Sequence, residues 1–219
     1  MKVFNSIQSF TCDKRTIATI GTFDGVHLGH RKILDKLLKA AEDSDYESLL
    51  LTFFPHPRMV VQPEADIKLL NTLEEKKELL ENIGLDNLVI HPFDIDFSNQ
   101  EAEEFVKSVL VDRFNIKKII IGYDHRFGKN RSADINDLIR FGKKYNFEVE
   151  QIEVKELNDV SISSTKIRNA LHDGKPRLAN SYLGYNYMLG GTIVMGKQLG
   201  RTIGYPTANI HISESYKQI

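Results

Sequence analysis

Two histidines three residues apart stand in the stretch IGTFDGVHLGH, Ile20 to His30. The run before them, TIATI (Thr16 to Ile20), reads as a buried strand, and LGHRKILDKLLKAAED after them reads as a helix. A helix start offers unpaired backbone N–H groups and the positive end of the helix dipole, which together suit a phosphate chain. Gly21 and Gly25 let the backbone pass close to a ligand. His27 and His30 share one face of the first helical turn. Asp24 lies near enough to steer a water or a metal, and a turn residue explains it equally well. The stretch is neither a Walker A loop nor GxGxxG nor HExxH, and no Cys/His cluster of metal-ligand spacing lies nearby.

Three more stretches carry groups of the same kind. In ISSTKIR (Ile162 to Arg168), Ser163 or Ser164 can cap a helix, and Arg168 lies one turn beyond Ser164, so hydroxyls, helix N–H groups and a fixed cation share a face. In TFFPHPRMV (Thr52 to Val60), Pro55 and Pro57 fix a turn around His56. The fourth stretch is IGYDHRFGKNRSAD, Ile121 to Asp134.

The elements that must position these groups alternate. Strands are predicted at 16–21, 48–54, 86–91, 117–122 and 147–154. Helical patterns fall between them, at 28–42, from the capping box TLEE (Thr72 to Glu75) to Gly84, from a second box SNQE (Ser98 to Glu101) to about Phe114, and near 134–145. This order predicts an α/β fold, a doubly wound parallel sheet covered on both faces, with every motif at a strand exit. GKPRLANSYLG (Gly174 to Gly184) reads as a connector, and the rest of the chain as glycine-rich and β-like.

Together these residues carry a resemblance. GTFDGVHLGH resembles the HxGH signature of the nucleotidyltransferase superfamily, and the form GxFDGVHxGH is similar to that of the bacterial bifunctional riboflavin kinase/FAD synthetase (FMN adenylyltransferase) family. ISSTKIR resembles that superfamily's ISSTxIR motif, TFFPHP its TFxPHP segment, and the fourth stretch its GxDFxFGxxRxG loop. His125 stands where the family usually has Phe, and Ser132-Ala133 replace a Gly-containing pair. The resemblance implies a Rossmann-like fold and the reaction FMN + ATP → FAD + pyrophosphate. It implies His27, His30 and Arg168 as catalytic residues, and an ATP site lined by Gly21, Phe23, Asp24, His27, His30, Ser163, Ser164, Thr165 and Arg168. It implies a flavin site that includes Pro55, His56, Pro57, Asp124, His125 and Phe127.

GGTIVMGKQLGRTIGYPTANI (Gly190 to Ile210) resembles the opening of the family's riboflavin kinase module, a β-barrel. The resemblance makes Thr207 and Asn209 of its PTAN segment the Mg²⁺ and phosphate ligands, and a hydroxyl and an amide oxygen suit that hard ion. The expected division is 1–183 for the adenylyltransferase and 184–219 for an incomplete start of the kinase. Only 35 residues follow Gly184, so this chain alone is expected to make no FMN from riboflavin.

Composition sets the outer limits. The chain has 219 residues, 41% of them hydrophobic and 27% charged, as in an ordinary globular protein with a sizeable core. A net charge of −1 gives no reason to expect a nucleic-acid partner. Cys12 is the one cysteine, no window approaches the roughly 18 apolar residues of a membrane span, and no signal-peptide core opens the chain. A cytoplasmic enzyme is expected, with Mg²⁺ as cofactor and ATP, FMN and riboflavin as partners; oligomeric state is not legible. Two other readings stand beside this one. The first is a superfamily transferase acting on pantetheine phosphate, a nicotinamide nucleotide or a phospho-alcohol. The second is a non-catalytic flavin- or nucleotide-binding module.

Overall fold

The computed structural model describes residues 1–65, 67–152, 162–212 and 217–218. Six strands build one parallel sheet: β1 (Lys2–Phe4), β2 (Thr16–Ile20), β3 (Glu47–Phe53), β4 (Asn87–His91), β5 (Ile116–Gly122) and β6 (Glu148–Ile152), in the order β1-β4-β3-β2-β5-β6. The chain winds outward from β2 through β3 and β4, then returns to pair β5 on the other side of β2. The switch of direction therefore lies beside β2, where an open α/β sheet leaves a crevice beyond its carboxyl ends. All five predicted strands are present within a residue or two. Residues 153 and 154 of the fifth lie outside the described residues. β1 is an addition, because three residues carry no readable period.

Alternation along β3 shows why the sheet is covered twice. Leu49 and Leu51 join one buried cluster with Val109, Leu110, Ile119 and Phe141. Leu50 joins the opposite one with Leu34, Leu37, Leu80 and Leu88. The second cluster is closed by α1 (Leu28–Ser44) and α3 (Leu73–Ile83). On the first face lie α5 (Ala102–Phe105), a wider π turn over Val106–Val111, and α6 (Ile135–Tyr145). The predicted box at α3 is present, with Thr72 and Glu75 exchanging both bonds.

The box expected at SNQE is absent. Ser98 instead ends the short helix α4 (Ile95–Ser98), which Asp94 caps, and α5 starts at Glu101 with no side-chain cap. The box that does form lies at Asp134 and Asp137, ahead of α6, where a short Asp takes the role usually given to Glu.

GKPRLANSYLG is a helix, not a connector. After α7 (Ser164–His172), the chain forms α8 (Pro176–Leu183), with Pro176 in its first turn and Gly184 closing it at φ 79°. Pro and Gly here punctuate a helix at its two ends, the positions each favours. Its Ala179 and Leu183 pack with Leu70, Ile167 and Ala170 in a third cluster. Beyond it, β7 (Thr192–Val194) and β8 (Asn209–His211) pair antiparallel as a separate small sheet, with α9 (Leu199–Thr202) between them. α2 (Pro57–Val61) follows β3.

Candidate active site

The turn from β2 into α1 is tight and strained. Phe23 and Val26 hold φ values of 46° and 37°, which non-glycine residues rarely adopt, and such strain gathers at ligand sites. His27 is the N-cap of α1: its Nδ1 accepts the His30 backbone N–H at 3.3 Å. With Nδ1 an acceptor, the neutral ring carries its proton on Nε2. The two imidazoles stack at 3.7 Å between centroids, and Phe23 lies 4.6 Å from His30. Gly29 makes this stack possible, because a Cβ there would stand 3.2 Å from the His27 ring.

α7 comes back to the same turn. Ser163 is its cap, accepting from the Lys166 N–H, so the choice between the two serines falls to Ser163. Ser164 Oγ donates to the Asp24 carbonyl at 2.8 Å, and Arg168 Nη1 meets Asp24 Oδ2 at 2.5 Å. Asp24 Oδ1 accepts from the Leu70 N–H at 2.8 Å. Asp24 therefore ties HLGH to SSTKIR; among the residues read from the sequence it is the hub, not a peripheral turn residue. Thr165 is exposed at the start of the helix, and Gly21 abuts the Phe23 ring.

Electrostatics at this end of the sheet favour neutral imidazoles. Burial lowers His27 to about 4. Burial also holds His30 well below its ordinary value, with His27 and Lys76 adding to the effect. His56 falls to about 4 through burial, then the positive charges of Lys76, Arg168 and Arg58. Burial pushes the Asp24 carboxyl up, and Lys76 and Arg168 pull it back down. His30 Nδ1 is buried without a hydrogen-bond partner.

The second half of the site leaves β3 and β5. His56 caps α2, its Nδ1 accepting from the Arg58 N–H at 3.1 Å, while Pro55 is exposed and Pro57 opens the helix. In the loop after β5, Phe127 and Ala133 exchange backbone bonds, and His125 stacks on Phe127 at 6.0 Å. Burial lowers His125 to about 4, and its Nε2 lacks a partner. Asp124 is exposed. A row of rings joins these two loops: Phe53 contacts Phe93 and Phe97, Phe97 contacts His91 and Phe105, and Phe105 contacts Phe127, with centroids 4.6 to 6.2 Å apart.

Comparison with known proteins fits this geometry. Residues 9–166 match the family model described as FAD synthetase, and residues 183–218 match the one described as riboflavin kinase. The chain belongs to the FAD synthetase family. Relatives named bifunctional riboflavin kinase/FMN adenylyltransferase include one from Buchnera aphidicola subsp. Schizaphis graminum, 36% identical over 98% of this chain and 70% of its own length. Another, from Listeria monocytogenes, is 35% identical over 93% of this chain and 65% of its own length. A third, from Escherichia coli K12, is 36% identical over 89% of this chain and 62% of its own length. A crystal structure described as a macrolide-efflux protein from Streptococcus pneumoniae superposes with a TM-score of 0.87 and 28% identity, over 97% of this chain and 69% of that one. Transport is a property of that description alone; among the described residues here, no helix is long and apolar enough to cross a membrane.

HLGH and SSTKIR thus meet at Asp24, and the aromatic row runs from the end of β3 to the loop after β5. Sequence reasoning missed the row's Phe53, Phe93 and Phe97, which are ordinary apolar residues until the strands align them. It also missed Lys76, only 4% exposed, whose Nζ donates to the Thr22 carbonyl at 2.7 Å. The signal was present: a lysine in the first turn of the helix, three and four residues before Leu79 and Leu80. A hollow of about 360 Å³ at the amino ends of β5 and β6, lined by Lys117, Asn146 and Glu148, is remote from all four motifs.

Each oxygen of Asp24 already has a partner, the Leu70 N–H or Arg168, and no group of three His, Cys, Asp or Glu among the described residues could hold a metal. Thr207 and Asn209, both exposed near β8, offer neutral oxygens of the type Mg²⁺ takes.

Proposed function

We propose that the chain transfers the adenylyl group of ATP to FMN. An FMN phosphate oxygen attacks the α-phosphorus, the bond from that phosphorus to the oxygen bridging to the β-phosphate breaks, and FAD and pyrophosphate form. The FMN phosphate is already ionised, so no strong general base is required. The protein's part is to position the reactants and to stabilise negative charge. Neutral imidazoles fit that part, because each keeps one ring N–H to donate to a phosphate oxygen.

The observation that carries this reading is the meeting of HLGH and SSTKIR at Asp24, beside the switch point of the sheet. In the proposed roles, His27 and His30 donate to the phosphates, and Ser164, Thr165, Arg168 and the free N–H groups of α1 and α7 line the nucleotide. Gly21, Phe23, Asp24 and Ser163 shape that pocket. Pro55, His56, Pro57, Asp124, His125 and Phe127 hold the flavin. Mg²⁺ bound to the incoming ATP would supply positive charge against that of the leaving pyrophosphate, while His27, His30 and Arg168 hold the phosphates. Residues 1–183 form the adenylyltransferase, and 184–219 are the opening of the riboflavin kinase module, where Thr207 and Asn209 would hold Mg²⁺.

One chromatographic assay tests this. The purified chain is incubated with Mg-ATP and either FMN or riboflavin, and the flavins are resolved. FAD from FMN is the expected product. Flavin bound without FAD formation would replace the reading with a binding module, and no flavin binding would point to another phosphate-bearing acceptor.

A further inference from the structure

Lys76 is a buried cation that forms no ion pair among the described residues. It sits on α3, and its one hydrogen bond goes to the Thr22 carbonyl, which also accepts from Thr52 Oγ1 at 3.1 Å. α3 and β3 thus grip the same peptide, two residues before Asp24. Lys76 forms no ion pair among the described residues, while the Asp24 carboxylate is already held by Arg168 and the Leu70 N–H. Asp24 and Arg168 cancel as −1 and +1, and the three histidines of the turn and of α2 are neutral. Among these groups one positive charge is left, that of Lys76; the neighbouring Lys217 and Glu75 cancel each other as an ion pair.

A buried charge left unmatched costs stability, so its persistence calls for a partner that arrives later. A phosphate chain is an anion of the right kind. We propose that Lys76 is a positioning residue for adenylyl transfer: held beneath the Thr22 carbonyl, its ammonium gives the His27–His30 turn the uncancelled positive charge that draws the nucleotide's phosphates in. Arg168, committed to Asp24, holds the turn together from the other side. This rests on the adenylyltransferase reading. Burial pushes the Lys76 ammonium down from its ordinary value and Asp24 pulls it back, which fits a cation held in reserve for an anion.

The test uses two variants of the full chain. Lys76→Met keeps the stem and removes the charge, and Lys76→Arg keeps the charge and changes the head. Melting curves establish that each is folded. For Lys76→Met, the KM for Mg-ATP is expected to rise about tenfold or more, with a smaller change in the KM for FMN. The acid limb of kcat/KM is expected to move to higher pH. The ionisable groups facing His30 are His27 of its own helix and Lys76 of α3. Those facing His56 are Lys76, Arg168 of α7 and Arg58 of its own helix. Removing Lys76 takes away a cation that keeps both imidazoles neutral. Lys76→Arg should hold the KM for Mg-ATP within about threefold of wild type.

A folded Lys76→Met with wild-type KM and an unmoved acid limb overturns the proposal. So does a tenfold rise in KM for Lys76→Arg, because the charge is then present and insufficient; this outcome decides even where Lys76→Met fails to fold. Wild-type chain that makes no FAD from FMN would instead defeat the adenylyltransferase reading, and calorimetric binding of Mg-ATP to wild type and Lys76→Met would still judge the role of the charge.

Discussion

At the scale of single residues, the site is organised by what is neutral and what is matched. His30→Ala should lower turnover by about 10²–10³ while melting stays near wild type, the loss expected when one donor is removed from a closed site. Turnover equal to wild type would remove His30 from the chemistry. Asp24→Asn strikes the hub differently. The amide still accepts from the Leu70 N–H, but Arg168 is left partly buried without its anion, at a cost on the order of 1–3 kcal/mol in a urea titration. The histidines give stability a pH dependence with a definite sign. His27, His56 and His125 are held down to about 4, against an ordinary 6.5. Between those values the unfolded chain takes up protons that the folded one refuses, so stability is full above about pH 6.5 and falls as pH drops toward 4. The melting temperature should decline across that window, and the decline should be shallower in His56→Asn. A flat profile from pH 7 to 4.5 would contradict the burial of these rings.

At the scale of elements, Gly29 separates fold from function. It lies in the first turn of α1, where Ala is the better helix former by roughly 1 kcal/mol. A Cβ there would nonetheless press on the His27 ring at 3.2 Å. Gly29→Ala should therefore keep or raise the melting temperature and cut kcat/KM about tenfold through a few tenths of an ångström of displacement. An unaltered rate would mean the ring moves aside without consequence. In the core, Leu50→Ala should cost about 2–5 kcal/mol by chemical denaturation, because Leu50 is fully buried between the sheet and its helices. Most of the elements were legible in the chain, because burial on two faces leaves unbroken apolar runs and a capping box leaves Thr and Glu at a fixed spacing. The same local signals misled at SNQE, where Asp94 captures the segment as a separate turn, and at GKPRLANSYLG, where Pro and Gly mark the ends of α8. In the site, HLGH, SSTKIR, PHP and HRF were legible as motifs. The Asp24–Arg168 pair, the aromatic row from Phe53 to Phe127 and the reach of Lys76 to Thr22 depend on which strands become neighbours, and no single stretch encodes that.

At the scale of the molecule, the segment after α8 is fastened to the back of the turn that carries His27 and His30. Tyr185 Oη donates to the Gly25 carbonyl at 2.7 Å. Lys217 is buried against Glu75, donates to the Leu70 carbonyl at 2.6 Å and lies 4.5 Å from the Tyr187 ring. Tyr185→Phe should cost about 1–3 kcal/mol, since the Gly25 carbonyl loses that donor in a half-buried setting, and a melting curve would show it. Leu70 is the joint between the two parts: its N–H goes to Asp24 and its carbonyl receives Lys217. Such a joint obeys reciprocity, for whatever free energy the closing of one side lends to the other must be returned in equal measure. Nucleotide that steadies the Asp24 turn will slow amide hydrogen exchange at Tyr187 and Gln218, and loosening of that tail will weaken the nucleotide by the same factor. Solvent exchange at the far end of the chain thus becomes a gauge of occupancy at the histidines.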